Sequence, residues 1–170
     1  MKAKLTINGK EFEVDMTEEQ VQALTETKTK KKTGYERVKK CECFYVEAVD
    51  GTSLHYVKDN YECDGRIYEG ANYYSDVIIA KNNARADKLY RQLRRFAVEH
   101  RKEKIDWNNV TTKKWMIHYS HSDKILDCIY RSTSQFGGTI YFDTYENVKL
   151  AIDTFKDELI WYFTEYKDSL

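Results

Sequence analysis

The longest run of unbroken helical periodicity in this chain extends from Ser75 to Lys104. At about 100° per residue, apolar residues form a stripe along one side, which is typical of a surface helix packed on a core. Ser75 or Asp76 can cap its N-terminus, because a side-chain oxygen there accepts a hydrogen bond from an unpaired backbone N–H. We expect the remainder of the fold to be built around this helix. Its stripe consists of Ala86, Leu89, Leu93, Phe96, Ala97 and His100.

A basic ridge follows the opposite side of the same helix. It comprises Lys81, Lys88, Arg91, Arg95 and Lys102. Exposed lysines and arginines are the usual covering of an amphipathic helix, so the ridge can be an ordinary solvated face. It can also present aligned positive charge to an anionic partner such as nucleic acid.

Charge is balanced in total but unevenly distributed. The chain has 28 lysines and arginines and 28 aspartates and glutamates. Residues 28–40 contain seven bases and one acid, whereas residues 143–168 contain seven acids and three lysines. Such blocks either pair inside the fold or present patches of opposite sign to partners. Lys30, Lys31 and Lys32 lie in a stretch without apolar residues, which is typical of a solvated linker and also suits a nucleic-acid tether.

The periodicity predicts an α+β fold with antiparallel sheets built from hairpins, two long amphipathic helices and one short N-terminal helix. Alternating apolar residues around turn sequences predict hairpins within residues 4–14, 37–57 and 115–130. Ile67-Tyr68, Tyr73-Tyr74 and Thr139–Phe142 are predicted as short strands. Asp143 or Thr144 is expected to cap a final helix that reaches Asp168.

The same patterns predict a division of the chain into three parts. Residues 1–26 form a small hairpin–helix module, residues 27–34 a basic linker, and residues 35–170 the main α+β domain. Within that domain, Gly70–Ser75 resembles Gly138–Asp143, since each follows a hairpin and leads into a helix. The similarity predicts an internal hairpin–strand–helix repeat.

The final helix places a large aromatic residue beside an acidic ridge. Trp161 falls off the apolar stripe formed by Val148, Ala151, Phe155, Leu159, Tyr162 and Tyr166. An exposed tryptophan next to charge is typical of an interface, whereas a helix buried on two sides or a homodimer contact explains it equally well. Asp153, Asp157 and Trp161 are therefore a candidate acidic and aromatic interface.

Motifs for catalysis or metal binding are weak. Cys41 and Cys43 alternate on a predicted strand and His118 and His121 flank a turn, whereas structural zinc sites usually place their ligands on knuckles. The sequence contains no glycine-rich phosphate loop and no nucleophile elbow. We expect reduced and mostly buried cysteines, no cofactor, no bound metal and no catalytic residue, hence a non-enzymatic protein. The lack of a long apolar run or a signal peptide predicts a soluble cytoplasmic protein without a membrane partner.

Three stretches of the C-terminal half resemble a group of uncharacterised small proteins from phages, prophages and mobile elements of Gram-positive bacteria. They are Ile105–Asn108, Gly138–Phe142 with the helix that follows, and Phe155–Phe163, and the resemblance covers residues 70–166. It implies a place in the host bacterial cytoplasm, where small proteins of this kind, including anti-CRISPR proteins, often interfere with host defence.

Binding to a host protein or nucleoprotein, such as a CRISPR effector complex, is the function that this setting favours. The alternative is a nucleic-acid-binding accessory protein that uses the basic ridge. Homodimerisation is compatible with either function.

Overall fold

The computed structural model describes residues 2–7, 10–15, 17–18, 32–48, 54–60 and 64–166. The chain divides into two compact units, residues 1–33 and residues 34–170. In the first unit, β1 (Lys2–Ile7) pairs antiparallel with β2 (Lys10–Asp15), which confirms the first predicted hairpin. Most of the predicted N-terminal helix lies outside the described residues, as do Lys30 and Lys31, whereas Lys32 is exposed.

The second unit has the predicted α+β character. Its hairpins are antiparallel and lie at the expected places, with Tyr45 opposite Tyr56 in one and Trp115 opposite Tyr130 in the other. In chain order the described elements are β3 (Cys43–Glu47), β4 (Leu54–Lys58), α1 (Gly65–Glu69), α2 (Val77–Glu99), β5 (Lys114–Ser120), β6 (Ile125–Arg131), α3 (Tyr145–Thr154) and α4 (Lys156–Thr164).

Helix α2 lies at the centre of this unit and packs against β3, α3 and α4. Asp76 caps it, since its carboxylate accepts from the backbone N–H groups of Ile78 and Ile79 at 2.7 and 3.0 Å. Most of the predicted stripe is buried, and Leu89, Leu93 and Phe96 belong to the main core together with residues of β6, α3 and α4. Burial of this stripe is the main apolar contribution of α2 to stability.

Burial of α2 on a second side was not predicted. In its N-terminal half, Ala80, Asn83 and Ala84 are also buried. Asn83 donates to the hydroxyl of Tyr35 at 2.6 Å and accepts from the hydroxyl of Tyr166. Because Ala84 is buried on the side of the basic ridge, the ridge is interrupted between Lys81 and Lys88. The helix also ends at Glu99, so Lys102 lies beyond it.

The predicted repeat corresponds to two similar backbone contacts. Tyr45 and Tyr74 exchange N–H···O bonds of 2.8 and 3.0 Å, and Trp115 and Phe142 exchange bonds of 2.9 and 2.8 Å. Each bridge joins the first strand of a hairpin to the segment before a helix. In place of the strands predicted at Tyr73-Tyr74 and Thr139–Phe142, each segment therefore forms one isolated β-bridge.

Two further predictions about secondary structure are wrong. Ile67 and Tyr68 lie in α1, where the Tyr68 N–H bonds locally to the carbonyl of Asp64 instead of to a neighbouring strand. The final helix is interrupted at Phe155, whose φ of −112° and ψ of 20° separate α3 from α4. The Phe155 ring packs edge-on against Phe96, with 5.6 Å between centroids, so contact with the core accompanies the break.

Candidate functional site

An open apolar groove lies between α2, β5, the loop at Gly138–Ile140 and α4. Its volume is about 260 Å³, which is enough for one large side chain. Gly138 has a φ of +72°, a left-handed conformation that favours glycine, and this turn brings Thr139 and Ile140 to the groove. The apolar lining includes Leu89, Leu93, Ile117, Ile140, Leu159 and Phe163.

Aromatic side chains also line this groove. Tyr90 contributes from α2, and the guanidinium of Arg94 lies 4.8 Å from the centre of its ring. Tyr162 contributes from α4, is 37% exposed and stacks on Tyr166 with 5.3 Å between centroids. A groove with apolar walls and tyrosines in its lining is suited to an apolar or aromatic side chain of a partner.

The basic ridge is exposed at all five of its predicted positions. Arg91 forms a 2.9 Å ion pair with Glu47 of β3, and Arg95 lies 3.8 Å from Glu99 on its own helix. Lys88, Arg91, Gln92 and Arg95 line a shallow depression of about 300 Å³. The C-terminal half of α2 thus presents a compact group of cations.

Within the described residues, the final helices form no ion pair with the ridge, although the positive charge of Lys88 helps to lower the pKa of the Glu158 carboxyl. Asp153 and Asp157 are exposed and form no ion pair with a described residue. The ion pair between α2 and α4 uses Arg85, outside the ridge, and Glu158. Its two N···O distances are 2.8 and 3.0 Å, and the bonds from Arg85 lower the pKa of the Glu158 carboxyl.

Trp161 is not exposed, so the predicted aromatic interface needs correction. The side chain is only 8% exposed, and the Arg85 guanidinium carbon lies 3.8 Å from the centre of its ring. The contact is a cation–π interaction within the fold. Leu159 and Trp161 project from different sides of α4 and both are buried, so this helix is buried on two sides, while Tyr162 is partly exposed. Asp153 and Asp157 therefore have no exposed tryptophan beside them.

A cluster that was not predicted from the sequence lies on the β5–β6 hairpin and the start of α3. It comprises Lys113, Trp115, Tyr130 and Tyr145, and we call it the aromatic–lysine surface. Trp115 lies 5.2 Å from Tyr130 and 5.1 Å from Tyr145 between ring centroids. The Lys113 ammonium lies 4.5 Å from the centre of the Tyr130 ring. The predicted hairpin register could have paired Trp115 with Tyr130, but the approach of Tyr145 depends on tertiary structure.

The chain matches no known protein family, no curated protein and no solved structure. Among the described residues, no helix combines the length and the apolar character needed to cross a bilayer. A function for this chain therefore rests on the chemistry of its own surfaces.

The cysteines and histidines do not converge on a metal site in the part of the chain that the structure describes, where no three potential ligands cluster. Cys41 is exposed, Cys43 is half-buried and Cys128 is buried. Burial raises the pKa of the Cys128 thiol, which keeps it protonated and unreactive near neutral pH. The expectation of mostly buried cysteines is met only by Cys128 among the described residues, since Cys41 lies in a turn before β3 with a φ of 73° and Cys63 falls outside them.

Proposed function

We propose that this chain is a binding protein whose groove between α2, β5 and α4 receives an apolar or aromatic side chain from a host protein or nucleoprotein. The observation that carries the proposal is the open 260 Å³ groove with Tyr90 and Tyr162 in its lining. Large anchoring side chains that fill such pockets supply most of the free energy in many protein complexes. The groove lies within one compact unit, so it exists before a partner arrives.

The resemblance to small phage and mobile-element proteins favours a partner from a bacterial defence system. A CRISPR effector complex is a nucleoprotein and is the leading candidate. The protein would then act in the host cytoplasm and inhibit its partner by occupying a surface that the partner needs. Trp161 does not contribute to this interface, because it is buried.

Blocking the groove is expected to abolish partner binding. The change is Thr139→Arg, since Thr139 lines the groove and is half-buried, and a bulky charged side chain there obstructs an apolar ligand. Affinity capture from a Gram-positive bacterium carrying a CRISPR system is the measurement. We expect the wild type to recover a defence component and Thr139→Arg to lose it.

The matched control is Thr133→Arg, which adds the same side chain at an exposed position of the same loop. This variant should recover the partner as the wild type does. Equal recovery by both variants would show that the groove is not the interface. Recovery of no defence component by the wild type would remove the support for defence inhibition.

Nucleic-acid binding by the basic ridge is the second candidate function. The observation in its favour is the depression lined by Lys88, Arg91, Gln92 and Arg95, whose cations form no ion pair with a described acid of the final helices. Arg91 is held by Glu47, whose side chain is only 8% exposed, so its guanidinium is already oriented. Cations on one helix face can follow the phosphates of a duplex.

Charge reversal on the ridge tests this second candidate. For Lys88→Glu combined with Arg95→Glu, we expect duplex DNA affinity to fall and the slope of log affinity against log salt to flatten by about 0.9 for each phosphate that the variant no longer neutralises. The measurement is fluorescence anisotropy over a salt series. Lys124→Glu combined with Lys156→Glu changes net charge equally at other exposed positions and serves as the control. DNA binding that does not depend on salt, or an equal reduction of DNA affinity in the ridge variant and in the control, would contradict nucleic-acid binding by the ridge.

A further inference from the structure

We propose that the aromatic–lysine surface binds single-stranded nucleic acid, with bases stacking on Tyr130 and Tyr145 and phosphates on the neighbouring lysines. This inference goes beyond the proposed function, because it assigns a separate surface to a separate class of ligand. It also differs from the proposal for the basic ridge, whose ligand is a duplex. In a duplex the bases are stacked on each other and are not available to stack on protein side chains.

The aromatic part of this surface is exposed and held in position. Tyr130 and Tyr145 are 44% and 45% exposed, although both contact the same half-buried tryptophan. Trp115 packs against the main core and its backbone pairs with Phe142, so both tyrosine rings rest on a fixed support. Ordered rings of this kind provide stacking platforms that accept any base.

The cationic part is a depression next to the tyrosines. Lys102, Lys104 and Lys113 line it, its volume is about 240 Å³, and it includes Thr144, the residue before Tyr145. All three lysines are exposed, and none forms an ion pair with another described residue. Their ammonium groups are thus available as point charges for phosphate.

Two acids, Glu103 and Asp143, also line this depression, but the Asp143 carboxylate is already hydrogen-bonded within the fold. Asp143 accepts from the backbone N–H groups of Lys102 and Glu103 and from the side-chain amide of Asn147. Glu103 remains as an exposed carboxylate. The three lysines therefore outnumber the acids, and the site favours an anion.

Lys113 joins the two parts of the surface. Its ammonium lies 4.5 Å from the centre of the Tyr130 ring and 5.8 Å from that of Trp115, and the same residue lines the depression. Alternation of exposed rings and cations is the chemistry that recognises a single strand, whose bases are free to stack.

The test is titration of a fluorescently labelled oligothymidylate and of a duplex of equal length between about 50 and 200 mM salt. We expect the single strand to bind more tightly than the duplex. Tyr130→Ala and Tyr145→Ala should each reduce single-strand affinity about tenfold, whereas Tyr130→Phe and Tyr145→Phe should retain it, since stacking needs the ring. Lys113→Ala should flatten the salt slope by about 0.7.

Tyr56→Ala is the matched control, because Tyr56 is 67% exposed on the other hairpin. It should leave affinity unchanged. Partner capture and single-strand titration probe different surfaces by different measurements, so a failure of partner capture and a failure of nucleic-acid binding can be told apart. The inference is overturned if the wild type binds no single strand. It is also overturned if Lys88→Glu with Arg95→Glu abolishes single-strand binding while the tyrosine-to-alanine variants retain it.

Discussion

Replacing Phe142 with alanine is expected to lower the free energy of unfolding by about 3–5 kcal/mol. Phe142 is 1% exposed and belongs to the core that α2 shares with β6, α3 and α4. Its backbone also bridges to Trp115 immediately before α3 begins. Removing the ring therefore leaves a cavity at the point where the hairpin and the helix are joined.

Urea unfolding followed by circular dichroism measures this change. Phe136→Ala is the control, because it removes the same ring from a position that is 47% exposed, and its cost should stay within about 1 kcal/mol. Similar destabilisation in the two variants would mean that Phe142 does not occupy the core in solution. Because Tyr130 and Tyr145 both contact Trp115, Phe142→Ala should also weaken single-strand binding.

Replacing Asp143 with alanine is expected to lower the free energy of unfolding by about 2–3 kcal/mol at neutral pH. The Asp143 carboxylate accepts hydrogen bonds from the N–H groups of Lys102 and Glu103 at 2.7 and 3.1 Å. It also accepts from Asn147 at 2.7 Å, and the Asn147 amide donates in addition to the carbonyl of His100 at 2.8 Å. These bonds fasten the chain that leaves α2 to the first turn of α3.

The destabilisation should depend on pH. Partial burial raises the pKa of Asp143, but the hydrogen bonds from Asn147, Glu103 and Lys102 outweigh it and hold the pKa below its usual value. A carboxyl whose pKa is lower in the folded state stabilises the fold above its unfolded pKa, and this contribution disappears as the pH falls through the folded value. The wild type and Asp143→Ala should therefore converge in stability as the pH falls below about 4.

Urea unfolding of both proteins between about pH 7 and 3 measures the convergence. Asp153→Ala removes an exposed carboxylate from α3 and should change stability little at any of these pH values. A constant difference between the wild type and Asp143→Ala across the whole range would contradict the role assigned to the carboxylate.

The parts of this fold that depend on local patterns could be predicted from the sequence. The stripe of α2, its cap at Asp76 and the hairpins follow from periodicity and turn residues within short windows. The break at Phe155 and the burial of Ala84 could not be predicted in this way. Contacts with distant segments accompany both features: the Phe155 ring packs on Phe96, and Asn83, next to Ala84, bonds to Tyr35 and Tyr166.

The candidate sites show the same limit. Exposure of Lys88 and Arg95 could be predicted from their position opposite the stripe, but the pairing of Arg91 with Glu47 depends on a strand far away in sequence. The burial of Trp161 involves Arg85 of α2, which lies far away in sequence. The aromatic–lysine surface combines segments around residues 113, 130 and 145, and only tertiary structure brings them together.

Helix α2 exposes different chemistry on opposite sides of the same few turns. Tyr90 and Leu93 contribute to the groove, whereas Lys88 and Arg95 contribute to the ridge. The distance between the two faces is therefore set by the thickness of a helix, roughly 10–12 Å with side chains. Two ligands bound there would lie on opposite sides of one helix, at a fixed separation. A single partner that contacts both faces must wrap around the helix. The spacing between the partner's own contact points will decide whether it uses both faces together.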